Sequence, residues 1–66
     1  MYIVKQNNQF FVTVRCWSRE WPDAKKMDEH DSHDIATHVR GECEVWKDYG
    51  TESETLVARY RNGHTY

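Results

Sequence analysis

Sixty-six residues, 8.0 kDa and a net charge of −2 allow one domain, spanning 1–66, and so short a chain buries only about 60% of the surface its unfolded form exposes. Its longest hydrocarbon runs are the triplets Phe10-Phe11-Val12 and Leu56-Val57-Ala58, too short for a membrane span or a signal-peptide core. Two cysteines, Cys16 and Cys43, can form one bridge at most, where a secreted mini-protein usually carries about two to four, so the expectation is a complete, soluble, cytoplasmic product with reduced thiols. Three Trp, four Tyr and two Phe supply the large buried areas that a compact fold of this size needs.

The segment from Tyr2 to Trp17 is rich in β-branched and aromatic residues and is broken once, by Asn7-Asn8, a pair that tolerates positive φ in a tight turn. This predicts a hairpin with Gln6 opposite Gln9, continuing through Lys5 with Phe10, Val4 with Phe11, Ile3 with Val12 and Tyr2 with Thr13. The alternation then places Ile3, Phe10, Val12, Val14 and Cys16 on one face and Tyr2, Val4, Phe11, Thr13, Arg15 and Trp17 on the other. Next, Trp21-Pro22-Asp23-Ala24 places Pro in the first turn of a helix, with Ser18 or Asp23 as cap. Asp28 and Asp31 interrupt a longer apolar stripe through Ile35 and Val39, which favours a stop near Ser32. Val39, Gly41, Cys43 and Val45 alternate with Arg40, Glu42 and Glu44 in a strand reaching about Asp48. After a turn at Tyr49 to Ser53, the last strand runs from Thr55 to Arg61 and ends at Asn62-Gly63.

The predicted fold is therefore α+β, in the order ββαββ, an antiparallel sheet with one helix on one face. One helix covers one side only, and the expected uncovered side carries Tyr2, Val4, Phe11 and Trp17, unless the tail Gly63 to Tyr66 folds over it.

Charge is segregated. All eleven acids lie between Glu20 and Glu54, where four lysines and arginines leave the window at −7, while five cations and no acid give the flanks +5. An acidic ridge of Glu20, Asp23, Asp28, Glu29, Asp31 and Asp34, with Glu42 and Glu44, suits a basic protein groove of the kind that holds nucleic acid. The alternative is a single-stranded nucleic-acid-binding module, with Tyr2, Phe11, Arg15, Trp17, Arg59 and Arg61 stacking bases and holding phosphates on the uncovered face. A pI near 6.0 opposes it, because phosphate affinity comes from surplus cations. His30, Asp34 and His38 would share a face of a longer helix, but Cys-x-x-Cys and His-Glu-x-x-His spacings are missing, and no metal or cofactor is expected. Nucleophile–base pairs and phosphate loops are also lacking, so no enzymatic activity is expected.

With its opening strand Tyr2-Ile3-Val4-Lys5, a single helix and a closing hairpin from Glu42 to Arg61, the chain resembles the small anti-CRISPR proteins that bacteriophages encode. That resemblance implies a mode of action without chemistry: stoichiometric binding, inside a bacterial host cell, to a CRISPR effector subunit at a surface that handles nucleic acid. It carries over no site residue. Self-association through the uncovered face would bring Arg15, Arg59 and Arg61 against their symmetry mates, so the free protein is expected to be a monomer or weak homodimer.

Overall fold

A computed structural model describes residues 1–66 as an α+β fold: an open antiparallel sheet of six strands with one helix. The strands are β1 (Tyr2–Gln6), β2 (Gln9–Thr13), β3 (Cys16–Ser18), β4 (Glu42–Lys47), β5 (Thr55–Arg61) and β6 (His64–Thr65), and the helix is α1 (Glu29–His38). Their spatial order is β3-β2-β1-β4-β5-β6. Two strands are thus added to the expected ββαββ order, one at each edge. No helix is long and apolar enough to cross a membrane.

Asn7 and Asn8 form the predicted two-residue turn, at φ 50° and 65°, and Gln6 faces Gln9 and Lys5 faces Phe10. Beyond Lys5 the expected pairing gives way to an inserted segment. Met27 exchanges two backbone hydrogen bonds with Tyr2, each 2.8 Å long, and the Lys25 amide donates to the Phe11 carbonyl at 2.9 Å. Lys25 to Met27 is thus wedged into the sheet between β1 and β2. Ala24 before the wedge packs with Ile3 and Phe10, whereas Met27 after it packs with Val4 and Phe11. The chain changes face by passing through the sheet.

That passage corrects both the helix and the face it covers. Pro22 starts only the short 3-10 turn Trp21–Asp23, because Ala24 is drawn under Ile3 and Phe10 and the wedge must be extended to pair. The Ser18 hydroxyl donates to Asp23 Oδ2 at 3.0 Å, so these two predicted caps bind each other. The true cap is Asp28, whose Oδ1 accepts the Asp31 amide at 2.7 Å, an arrangement that contributes about 1 kcal/mol. The helix runs past Ser32 to His38, since Ser32 and Ala36, both fully buried, carry its contact face where Asp28 and Asp31 do not. It lies on the Val4 and Phe11 face, previously expected to be open. There Val4, Phe11, Met27, Ala36, Cys43, Val45 and Tyr60 form the main core, with Ile35 and Val39 packed against it.

The edges also differ from expectation. The second strand does not reach Trp17; the turn at Val14 and Arg15 folds the chain back as β3, which leaves Cys16 exposed instead of inward. Cys43 is buried and both thiols are free, on strands separated by two others. The strand expected from Val39 starts only at Glu42, after Gly41 at φ 77°. At the other edge Asn62-Gly63 ends β5 as expected but also turns the tail into β6, so the tail extends the sheet.

Candidate interaction surface

Helix α1 is tied to the sheet by two contacts that fix its orientation. His33 Nδ1 and the Tyr60 hydroxyl share a 2.6 Å hydrogen bond, and the Tyr2 hydroxyl donates to Glu29 Oε2 at 2.9 Å. Accepting that proton gives the Glu29 carboxylate a reason to hold Tyr2 neutral, and the Tyr2 pKa is raised chiefly by this bond. Burial raises Tyr60, and Cys43 beneath the helix is pushed up to about 11, again chiefly by burial.

The eight acids of the predicted ridge occupy three places. Asp28, Glu29, Asp31 and Asp34 belong to α1 and its cap. Asp28 and Glu29 are engaged as described, Asp31 lies 3.5 Å from His30 Nδ1, and the Asp34 carboxylate has no ion-pair partner. Glu20 caps and Asp23 ends the Trp21–Asp23 turn, on the opposite side of the sheet from α1, where Ala24 is packed. Glu42 and Glu44 also face away from the helix, since they alternate with the buried Cys43 and Val45. Glu42 Oε1 accepts both Nε and Nη2 of Arg61, at 3.1 and 2.9 Å, and Glu44 pairs with Arg59 at 3.7 Å. The sequence brings acids together that the sheet then keeps apart, and only the helical group forms one exposed row.

The alternative set is also divided. Phe11 is buried in the core at 5% exposure, Tyr2 is half-buried against α1, and Trp17 stands edge-on to Phe11 with ring centroids 5.5 Å apart. Arg15 lies exposed in the β2–β3 turn, while Arg59 and Arg61 are on the far face in their ion pairs. These six residues do not share a face, because the helix covers the aromatic ones and not the arginines.

Sequence reasoning missed a groove beside the helix. Its cavity of about 240 Å³ separates the C-terminal half of α1, through Ile35, His38 and Val39, from Phe11, Val14 and Trp17 of the β2–β3 hairpin. Gln6 and Arg40 complete its lining. A helix extended through Ile35 and Val39 was the signal that would have located one wall. In comparisons with known proteins, no family model, no curated sequence and no solved structure matches the chain.

Proposed function

We propose that the chain is a non-enzymatic interaction module, a stoichiometric inhibitor of the anti-CRISPR kind that its element pattern resembles, and that it offers the acids of α1 to a basic protein surface. One observation carries this reading: Asp28, Asp31 and Asp34 recur every third residue along one helix, with no Lys or Arg ion-paired to any of them. Three residues advance about 4.5 Å along a helix axis and turn the next side chain by about 60°, so the three carboxylates wind across one exposed acidic strip of the helix. Such a row can stand in for a short stretch of nucleic-acid backbone and steer association with a cationic groove. Glu42 and Glu44 are left out of the contact surface, since Arg61 and Arg59 already neutralise them. The nucleic-acid-binding alternative has less support, because its six residues do not share a face and Phe11 is only 5% exposed.

The test is charge reversal at Asp31 and Asp34, two exposed positions of which Asp34 has no ion-pair partner and Asp31 only the neighbouring, exposed His30. Proteins captured from a bacterial host lysate on the native chain are identified, and the affinity of the strongest is measured for native and D31K/D34K protein at low and moderate salt. The expected outcome is at least a tenfold loss on reversal, about 1.4 kcal/mol, with native binding weakening as salt rises. Affinity indifferent to both changes would eliminate the acidic-row reading.

A further inference from the structure

The groove between α1 and the β2–β3 hairpin has an apolar interior and a cationic end. Phe11 is its deepest side chain at 5% exposure, and the half-buried Trp17, Ile35 and Val39 line it further out. Val14 stands at its lip with 82% of its surface in water, although it occupies a turn, where Gly, Asn or Asp is the usual choice. At the helix C-terminal end, Arg40 lines the groove and takes part in none of the ion pairs of the fold. No Asp or Glu lines it. Gln6 has no free donor there, because its Nε2 donates to the Arg40 and Glu42 carbonyls at 2.6 and 2.9 Å. Those two bonds hold the Arg40 backbone against β1 and so fix the place from which its guanidinium reaches out.

We infer that this groove docks a peptide segment of a partner protein in which one bulky apolar residue is followed by carboxylates. The size and the charge select that occupant. A cavity of about 240 Å³ is smaller than the roughly 300 to 1,000 Å³ typical of small-molecule sites and suits one large side chain, the usual anchor of a protein interface. An unpaired guanidinium beside it, with no acid in the lining, complements a carboxylate, which Arg can grip through two parallel N–H donors. The inference does not rest on the acidic row of α1: it concerns the opposite end of the helix and a ligand of opposite charge. Together the two would orient a partner along α1, with its cations toward Asp28 and its anchor and acids toward Arg40.

The probes are the acetylated, amidated pentapeptide Ser-Gly-Phe-Glu-Glu, its Gln-Gln counterpart, and pentathymidylate, each titrated into nitrogen-15-labelled native protein. The expected result is saturable shifts at Val14, the Trp17 indole N–H, Ile35, Val39 and Arg40, with the Glu peptide binding on the order of 0.1 to 1 mM, as befits a single anchor. Arg40→Gln should weaken the Glu peptide about threefold, the range of an exposed ion pair, and leave the Gln peptide unchanged. Val14→Asp, at a position too exposed to threaten the fold, should weaken both peptides. The inference is overturned if the peptides give no saturable shift at several millimolar, if Arg40→Gln affects both peptides equally, or if pentathymidylate binds the same residues more tightly, which would make the groove a base-stacking site.

Discussion

The two faces of the sheet solve the same problem with different materials. On the helix face, β1, β2, β4 and β5 contribute Val4, Phe11, Cys43, Val45 and Tyr60, and α1 closes over them with Ala36, Ile35 and Val39. Across the sheet only Ile3, Phe10 and Ala24 are buried, and their cover is aromatic and local: Tyr49 meets Phe10 and Trp46 edge-on at 5.2 and 5.5 Å, and Trp21 leans on Tyr49 at 6.1 Å. Gly50 makes that cover possible, since a Cβ there would lie 2.6 Å from the Trp21 ring. Farther along, that face has no cover and is laced instead by Glu42–Arg61 and Glu44–Arg59. The one helix thus closes over the larger core, aliphatic residues and rings together, while the other face relies on a small local cover of rings and on ion pairs.

The sharpest way to break this contrast is to truncate one ring on each face. Phe11→Ala removes a ring packed under the helix and should destabilise by about 3 to 5 kcal/mol, enough to unfold much of a small domain whose total stability is of that order. Trp46→Ala removes a half-buried ring from the other face and should lose roughly half as much, because part of the ring already meets water. Urea unfolding followed by circular dichroism measures both. Equal losses would mean that the local aromatic cover contributes as much as the helix does.

A second measurement sharpens the contrast through acid–base chemistry. Cys43 is buried under α1 with its pKa pushed up to about 11 from 9.0, whereas Cys16 is exposed at the sheet edge. A thiol whose folded pKa is raised binds its proton more tightly in the folded state. Stability should therefore be level in this respect below pH 9 and fall between about pH 9 and 11, by on the order of 2 to 3 kcal/mol in all at roughly 1.4 kcal/mol per pH unit. The raised Tyr60 and Tyr2 push in the same direction. Cys43→Ala should flatten part of that decline, and in native protein at neutral pH iodoacetamide should modify Cys16 alone, with Cys43 reacting only once urea unfolds the chain. Equal reaction at both thiols without denaturant would show that the helix does not seal its face.

Much of the sheet was legible in residue order because period-two alternation is a local signal. Asn7-Asn8 set the first turn, Thr55 to Arg61 held as a strand, and Cys43 and Val45 faced inward as their spacing demanded. The helix was misplaced because Pro22 and Asp23 form a genuine start signal whose continuation is overruled by tertiary pairing: Met27 gains two sheet hydrogen bonds with Tyr2 that a helix would forfeit. That one insertion also reversed which face is covered, and with it the availability of Phe11. The acidic helix was visible as composition, but its separation from Glu42 and Glu44 depends on which way a strand residue points relative to a helix placed by a distant contact. The groove depends on two elements meeting, Ile35 from the helix and Trp17 from β3, and no local pattern encodes that meeting.

The smallest expected effect lies on the far face, in the pair Glu42–Arg61. Both side chains are more than half exposed, so the double hydrogen bond to Glu42 Oε1 should be worth only about 0.2 to 1 kcal/mol and should fade with salt. Arg61 has a second attachment, because its guanidinium lies 4.3 Å from the centre of the Tyr66 ring, a cation–π contact that adds about 0.5 to 1 kcal/mol at an exposed site and is less sensitive to the loss of Glu42. The Tyr66 amide in turn donates to the Arg59 carbonyl at 3.1 Å, which keeps the ring beside β5. Arg61→Ala should therefore destabilise more than Glu42→Ala, and the difference should shrink in a Tyr66→Ala background. A double-mutant cycle on Glu42 and Arg61, repeated at low and high salt, isolates the ionic part as the coupling that disappears. A coupling above 2 kcal/mol that survives high salt would show this pair to be shielded from water, and the far face to be built more like a core than its exposure allows.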